Sequence, residues 1–142
     1  MSTRLPTAEE INVFDSLDER HAVEVFLGKD LEQAEALFRE NFLYYQEDLM
    51  FMGPKAFAFY VPAAIRYLLS AESSGDSDAA NTFRGLVESR LDHEPDAIAP
   101  VGPLIREGIL GMLGDFDRYG YDEAIYGDLA DRYRALLSRL KP

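Results

Sequence analysis

Two histidines are the residues with the widest chemical range in this chain, which has no cysteine. His21 stands between two acids in the pattern Asp18-x-x-His21-x-x-Glu24, and in a helix these three side chains lie near one face. Carboxylate and imidazole groups are metal ligands, so Asp18, His21 and Glu24 are the candidate ligands. Di-iron bundles, however, take a Glu-x-x-His motif from each of two helices. We therefore favour a surface histidine beside a helix-capping Asp18, and we predict no cofactor.

The other groups that could carry catalysis form no recognisable site. The 26 Asp and Glu residues make pairs at helical spacing inevitable by number alone. No pair stands in an apolar stretch that would shift a carboxyl pKa into a useful range. No Gly-x-Ser-x-Gly turn occurs, and the chain has no cysteine nucleophile. The sequence therefore predicts a protein that is not an enzyme.

The most distinctive segment is aromatic and acidic. Tyr44 and Tyr45 are followed at once by Gln46, Glu47 and Asp48. Two adjacent tyrosines do not easily both turn inward when acids follow, and exposed tyrosine beside carboxylate is typical of interface hot spots that face Arg or Lys. Large rings more often build a core, and that alternative stays open. The segment predicts that Tyr44, Tyr45, Glu47 and Asp48 contact a partner.

The charge distribution predicts the sign of that partner. A net charge of −12 disfavours nucleic acid and anionic membranes and favours a basic protein. The acidity is concentrated in residues 1–50, which hold 12 acids against 4 bases. Asp15, Asp18 and Glu19 therefore join the predicted partner-binding residues. The alternative that acidic charge serves only solubility stays open.

Helical periodicity dominates the chain, and no stretch alternates cleanly with period two. The first helix is predicted to begin at Thr7, which forms a capping box with Glu10. Asp18 and Asp30 are the predicted N-caps of the next two helices. Residues 42–52 carry no clear signal for helix or loop.

Prolines and glycines shape the middle and later parts of the chain. Pro54 suits the first position of a central helix, which we expect to be the most buried. Pro62 inside that helix predicts a kink or a division into two short helices. The spacing Gly108-x-x-Gly111-x-x-Gly114 in a later helix predicts that another backbone approaches closely across this small-residue face.

These elements predict a compact all-α domain of about six helices with a proline-kinked central helix, spanning residues 1–142 as a single domain. The N-terminus has no apolar region typical of a secretory signal, and no apolar stretch is long enough to span a bilayer. The absence of cysteine suits a reducing compartment. We therefore expect a cytoplasmic protein that does not enter membranes.

Residues 47–64 resemble the signature block of a family of small bacterial proteins of unknown function. The block reads EDLMFMGPKAFAFYVPAA. Its acidic and apolar start leads to Pro54, then to an Ala-Phe pair and a Phe-Tyr-x-Pro-Ala ending. The upstream AEALF at residues 34–38 is also similar. The resemblance implies a helical bacterial domain, and it implies no activity and no site residue.

Two functions remain after this reasoning. The first is a non-enzymatic protein-binding protein, of the inhibitor or immunity type, that neutralises a basic partner: acids steer the encounter and tyrosines hold the complex. The second is a small-ligand or metal-binding helical domain. That function needs a pocket, and the aromatic surroundings of Pro62 are the predicted place for it.

Overall fold

Helices make up the regular secondary structure of residues 4–140, the part of the chain that this computed structural model describes. No strand occurs in that range, so the all-α prediction is confirmed. Six of the helices have ten or more residues, in agreement with the predicted number. In chain order the helices are α1 (Ala8–Ile11), α2 (Leu17–Phe26), α3 (Leu31–Phe51), α4 (Pro54–Leu69), α5 (Ser77–His93), α6 (Pro95–Ile98), α7 (Gly102–Leu113), α8 (Glu123–Tyr126) and α9 (Leu129–Arg139).

Side-chain caps fix where the early helices begin. Thr7 and Glu10 form the predicted capping box at α1, and Asp30 caps α3 as expected. The prediction that Asp18 caps α2 was wrong. Ser16 is the N-cap, since its backbone is extended and its hydroxyl accepts from the backbone N–H of Glu19, the third helical residue. Asp18 lies in the first turn instead.

The middle of the chain is more helical than the sequence indicated. α3 continues through the uncertain segment and ends only at Phe51. Its single departure from helical dihedrals is Asn41, at φ −162° and ψ 85°. α4 runs from Pro54 through Pro62 to Leu69, so the chain does not divide there into two short helices. Pro62 has no N–H, and the Ala58 carbonyl therefore lacks its usual helical donor.

α4 lies at the centre of the hydrophobic core. Nine of its 16 residues are buried, a larger share than in any other long helix of residues 4–140, which confirms the expected burial. Tyr60 of this helix contacts the ring of Phe26, with ring centroids 5.0 Å apart. On another side, a Cβ added at Gly108 of α7 would come within 2.8 Å of Ile65. α7 therefore packs closely against α4 at this glycine, although the atoms nearest to it belong to a side chain and not, as predicted, to a backbone.

Arginines close the C-terminal ends of three helices. Each guanidinium donates to carbonyl oxygens that have no partner within their own helix, and its positive charge suits the negative end of the helix dipole. The contacts are Arg90 to Leu49 (3.2 Å) and Met52 after α3, Arg118 to Leu68 (2.5 Å) and Ser70 (2.9 Å) after α4, and Arg106 to Leu137 (2.6 Å) in α9.

Buried tyrosines add further ties between elements. The Tyr60 hydroxyl contacts the carbonyl oxygens of Phe26 and Lys29, both at 2.8 Å, at the end of α2. The Tyr119 and Tyr133 hydroxyls donate to backbone carbonyls of α4 and α5. Burial raises the pKa of Tyr60 and of Tyr119 to about 12 each. These phenols therefore stay protonated and keep donating through the physiological range.

Candidate protein-binding site

A chain of hydrogen bonds links α2 to α3 at the surface. The His21 Nδ1 atom lies 2.6 Å from Oδ1 of Asp48, and its Nε2 atom lies 3.1 Å from the Tyr44 hydroxyl. Both ring nitrogens are therefore engaged. With Asp48 ionised, Nδ1–H donates to the carboxylate, and Nε2 pairs with the phenol as acceptor or, when the ring is protonated, as donor. The arrangement holds the Tyr44 side chain in one orientation.

Asp48 is the buried end of this chain and only 4% exposed. Its second oxygen, Oδ2, has no hydrogen-bond partner within residues 4–140. Burial raises the pKa of the Asp48 carboxyl, although the hydrogen bond from His21 opposes that rise. The same bond raises the pKa of His21, because the carboxylate favours the imidazolium. The predicted surface role of Asp48 is corrected accordingly: its carboxylate faces His21 rather than solvent.

Glu19 is also placed differently from the prediction. It is 4% exposed, and its carboxylate accepts from the backbone N–H groups of Val13, Phe14 and Ser16 and from the Ser16 hydroxyl. These bonds fix the loop between α1 and α2. The carboxylate is thus used inside the fold and is not presented to a partner.

The remaining predicted acids lie on the surface. Asp15 is exposed but already pairs with Arg20 through two hydrogen bonds of 2.8 and 2.9 Å, which lower its pKa to about 2. Asp18, Glu24 and Glu47 are exposed. Asp18 and Glu24 contribute to the raised pKa of His21, and Glu47 contributes to that of Asp48. Three carboxylates therefore lie near the His21–Asp48 pair.

Tyr44 and Tyr45 divide between surface and core. Tyr44 is 50% exposed, whereas Tyr45 is partly buried and packs against the hydrophobic core. Their rings meet edge to face with centroids 4.9 Å apart. The two adjacent tyrosines do not both turn inward, in agreement with the expectation from the sequence. Tyr44 is the member of the pair that a partner would meet.

Exposed apolar side chains at this site were missed by the sequence reasoning. Phe14 and Leu17 are each 80% exposed, and Phe51 is 45% exposed. Phe14 follows Ile11 by three residues, so it would share the apolar face of the first helix if that helix continued. That helix instead ends at Ile11, and a loop with Asp15 at φ +58° follows. The available signal was the early run Asn12 to Ser16, which favours a loop over a helix.

Asp18, His21 and Glu24 are the candidate metal ligands that the sequence reasoning left as the less favoured alternative. No group of three His, Cys, Asp or Glu side chains within residues 4–140 is arranged to hold a metal ion. His21 turns both of its ring nitrogens to Asp48 and Tyr44. Asp18 and Glu24 act on it only as nearby charges.

A cavity of about 630 Å³ opens beside Pro62, at the predicted place for a pocket. Phe59, Ala58 and Pro62 of α4 form one wall. Segments from the start of the described chain, from α3 and from the stretch after α5 supply the others. The cavity shares no lining residue with the His21–Asp48–Tyr44 chain. The molecule therefore offers two separate surfaces to which a function can be assigned.

Comparison of the chain with protein-family models, with curated proteins and with solved structures found no match. The resemblance of residues 47–64 to a bacterial family therefore stays a prediction. Within residues 4–140, no helix combines the length and the apolar character needed to cross a membrane.

Proposed function

We propose that this protein binds another protein, as an inhibitor or immunity-type protein that neutralises a basic partner. The proposal includes a cytoplasmic location, in keeping with a chain that lacks cysteine. It includes no catalytic step and no nucleic acid, since a net charge of −12 repels phosphate backbones. The binding surface would be the one around Tyr44.

The observation that carries the proposal is the meeting of two helix stripes. Leu17, His21 and Glu24 follow one another at spacings of four and three along α2, so they share a face. Tyr44, Asp48 and Phe51 do the same along α3. The His21–Asp48 contact of 2.6 Å joins the stripes. We call the exposed surface that they form, with Asp18 and Glu47 at its edges, the α2–α3 face.

This face has the composition of a protein interface. Leu17, Tyr44 and Phe51 expose large apolar side chains that a soluble surface gains nothing by exposing, whereas a partner would bury them. An aromatic anchor held in place by a hydrogen bond loses little side-chain entropy on binding. The surrounding carboxylates would attract a basic partner and orient it before contact.

The experiment compares variants of the face in a pull-down from a lysate of the cells that make the protein. Tyr44→Ala removes the anchor, and Glu47→Lys reverses an exposed charge. Glu123→Lys is the matched control, because Glu123 is exposed on α8, outside the face. Asp48 is not used, since reversing a buried charge would test folding instead.

We expect one basic protein to be retained at low salt by the wild type and by Glu123→Lys, and to be weakened by high salt. Tyr44→Ala and Glu47→Lys should lose it. Equal retention by all variants would remove the α2–α3 face from the proposal. Retention that is indifferent to salt would contradict the electrostatic part.

The second candidate function is binding of a small ligand, and the cavity beside Pro62 favours it. Its volume of about 630 Å³ lies within the usual range for small-molecule pockets. The metal-binding form of this function has no comparable support among the described residues.

A further inference from the structure

The cavity beside Pro62 has walls that are held in place before any ligand arrives. Four of its lining residues are prolines (Pro6, Pro54, Pro62 and Pro100), whose backbone φ is fixed by the ring. Two of these belong to α4, the most buried long helix, which cannot move without disturbing the core. A pocket already formed in the free protein requires little ordering when it binds.

The cavity is mainly apolar, so its occupant needs an apolar body. Besides the prolines, side chains such as Leu5, Leu31 and Phe59 line it. Phe59 supplies a ring face or edge against which an alkyl or aromatic group can pack. Ligand surface placed there would leave water, which is the main favourable contribution in sites of this kind.

Four charged residues also line the cavity, and three of them are already engaged. Arg4 and Glu10 form an ion pair of 3.0 Å, and the Glu10 carboxylate also accepts from the backbone N–H of Thr7. Asp30 accepts from the backbone N–H of Gln33 as the cap of α3. Lys55 is different, because its ammonium makes no ion pair or hydrogen bond within residues 4–140.

Among the described lining residues, Lys55 is thus the positively charged side chain that has no carboxylate partner. It stands in the first turn of α4, where no acidic residue offsets it. The chain as a whole is strongly negative, with 14 Lys and Arg against 26 acids. A lysine that remains without a carboxylate partner in such a chain is available to pair with an anionic ligand.

We propose that the cavity beside Pro62 binds a small monocarboxylate with an apolar body, and that Lys55 pairs with its carboxylate. The apolar body lies along Phe59 and Pro62. This assignment rests on the second candidate function, binding of a small ligand, and is independent of the proposed protein-binding function, because the cavity and the α2–α3 face share no residue.

The test is a titration of the intact protein with octanoate, followed by NMR chemical shifts of backbone amides. The neutral 1-octanol is the matched probe, since it keeps the chain and lacks the charge. Lys55→Gln removes the ammonium. Lys29→Gln is the control variant, because it removes a lysine that does not line the cavity. A third variant, Ala58→Leu, adds volume to the cavity wall.

We expect octanoate to shift backbone amides of residues 55–61, which lie between the two prolines of α4, and to bind more tightly than octanol. Lys55→Gln should weaken octanoate binding by about twofold to fivefold, as expected for an ion pair at an exposed ammonium, and leave octanol binding unchanged. Lys29→Gln should bind octanoate as the wild type does, and Ala58→Leu should weaken both probes.

Three results would overturn the proposal. One is the absence of shifts around the cavity at millimolar octanoate. Another is equal weakening by Lys55→Gln and Lys29→Gln, which would point to general charge. The third is octanol binding as tightly as octanoate in the wild type, which would leave an apolar cavity with no carboxylate preference.

Discussion

A buried carboxylate with one partner is the residue on which the candidate face depends. The Asp48 side chain is almost entirely buried. Within the described chain, only one of its two carboxylate oxygens, Oδ1, has a hydrogen-bond partner, which is His21. A buried charge of this kind is costly unless its partner stays in place. His21 thus stabilises Asp48 and orients Tyr44 at the same time.

The His21–Asp48 pair should make stability depend on pH. The pKa of His21 is raised from its ordinary value of 6.5 by the hydrogen bond to Asp48. The folded state therefore binds this proton more tightly than the unfolded state does. The stabilisation is complete below pH 6.5 and is lost as the pH rises through the raised value.

The measurement is urea unfolding of the wild type and of His21→Gln at about pH 6 and at about pH 9, on either side of an ordinary histidine pKa. The wild type should lose more unfolding free energy across this interval than the variant does. The two proteins should differ least at the higher pH. An equal loss in both would mean that the pair contributes no proton-linked stability.

At the scale of the helices, the arginine contacts with C-terminal carbonyl oxygens connect the ends of helices to neighbouring segments. Arg118 joins the end of α4 to the segment after α7 through Leu68, Ser70 and the Ser73 hydroxyl. A planar guanidinium reaches several acceptors at once, whereas an ammonium on a flexible stem does not reproduce that geometry.

Arg118→Lys should therefore lower the free energy of unfolding by about 1–3 kcal/mol, because buried carbonyls lose charge-assisted hydrogen bonds. The control is Arg66→Lys on the exposed side of α4, which should change stability by less than about 0.5 kcal/mol. Denaturant unfolding of both variants measures the difference. Matching losses would show that the guanidinium contacts add nothing specific.

The junction between α3 and α4 depends on the absence of a side chain at Gly53. A Cβ there would collide with the Glu10 carbonyl oxygen and with Val13, whereas a Cβ at Gly85 meets nothing within 4 Å. We expect Gly53→Ala to cost about 1–3 kcal/mol through overpacking.

Gly85→Ala, inside α5, should instead stabilise the protein by about 0.5–1 kcal/mol through helix propensity. Thermal melts of the two alanine variants give the comparison. Stabilisation by both substitutions would mean that Glu10 and Val13 move away from the added methyl group at Gly53 without a cost in free energy.

Local signals predicted part of this arrangement, and tertiary contacts account for the rest. Thr7, Asp30 and Pro54 mark helix starts from sequence because a cap acts on its own helix. The prediction for Asp18 was wrong because α2 begins two residues earlier, after Ser16, whose hydroxyl accepts from the backbone N–H of Glu19. The burial of Asp48 follows from contact with His21, 27 residues away, and no local pattern shows a contact of that range.

At the scale of the whole molecule, the net charge of −12 acts on the fold as well as on partners. Like charges repel across a compact surface and favour the expanded chain. The ion pairs of this surface, such as Arg20 with Asp15, are exposed and contribute little against that repulsion.

Added salt should therefore stabilise the protein. Raising the ionic strength from about 0.01 M to about 0.15 M shortens the Debye length from about 30 Å to about 8 Å. The midpoint of thermal unfolding should rise over this range. A midpoint that falls would show that attraction between oppositely charged side chains outweighs the overall repulsion. The net negative charge would then not destabilise the folded protein.

Ionisation of the buried tyrosines limits the stability of the folded protein at strongly alkaline pH. Tyr60 and Tyr119 hold their protons to about pH 12 in the folded protein, whereas an unfolded chain releases them near pH 10. Alkali therefore draws the equilibrium toward the unfolded chain, since only that state can give up the protons. The phenols that fasten helix ends at neutral pH become, in strong base, the groups whose ionisation separates those helices.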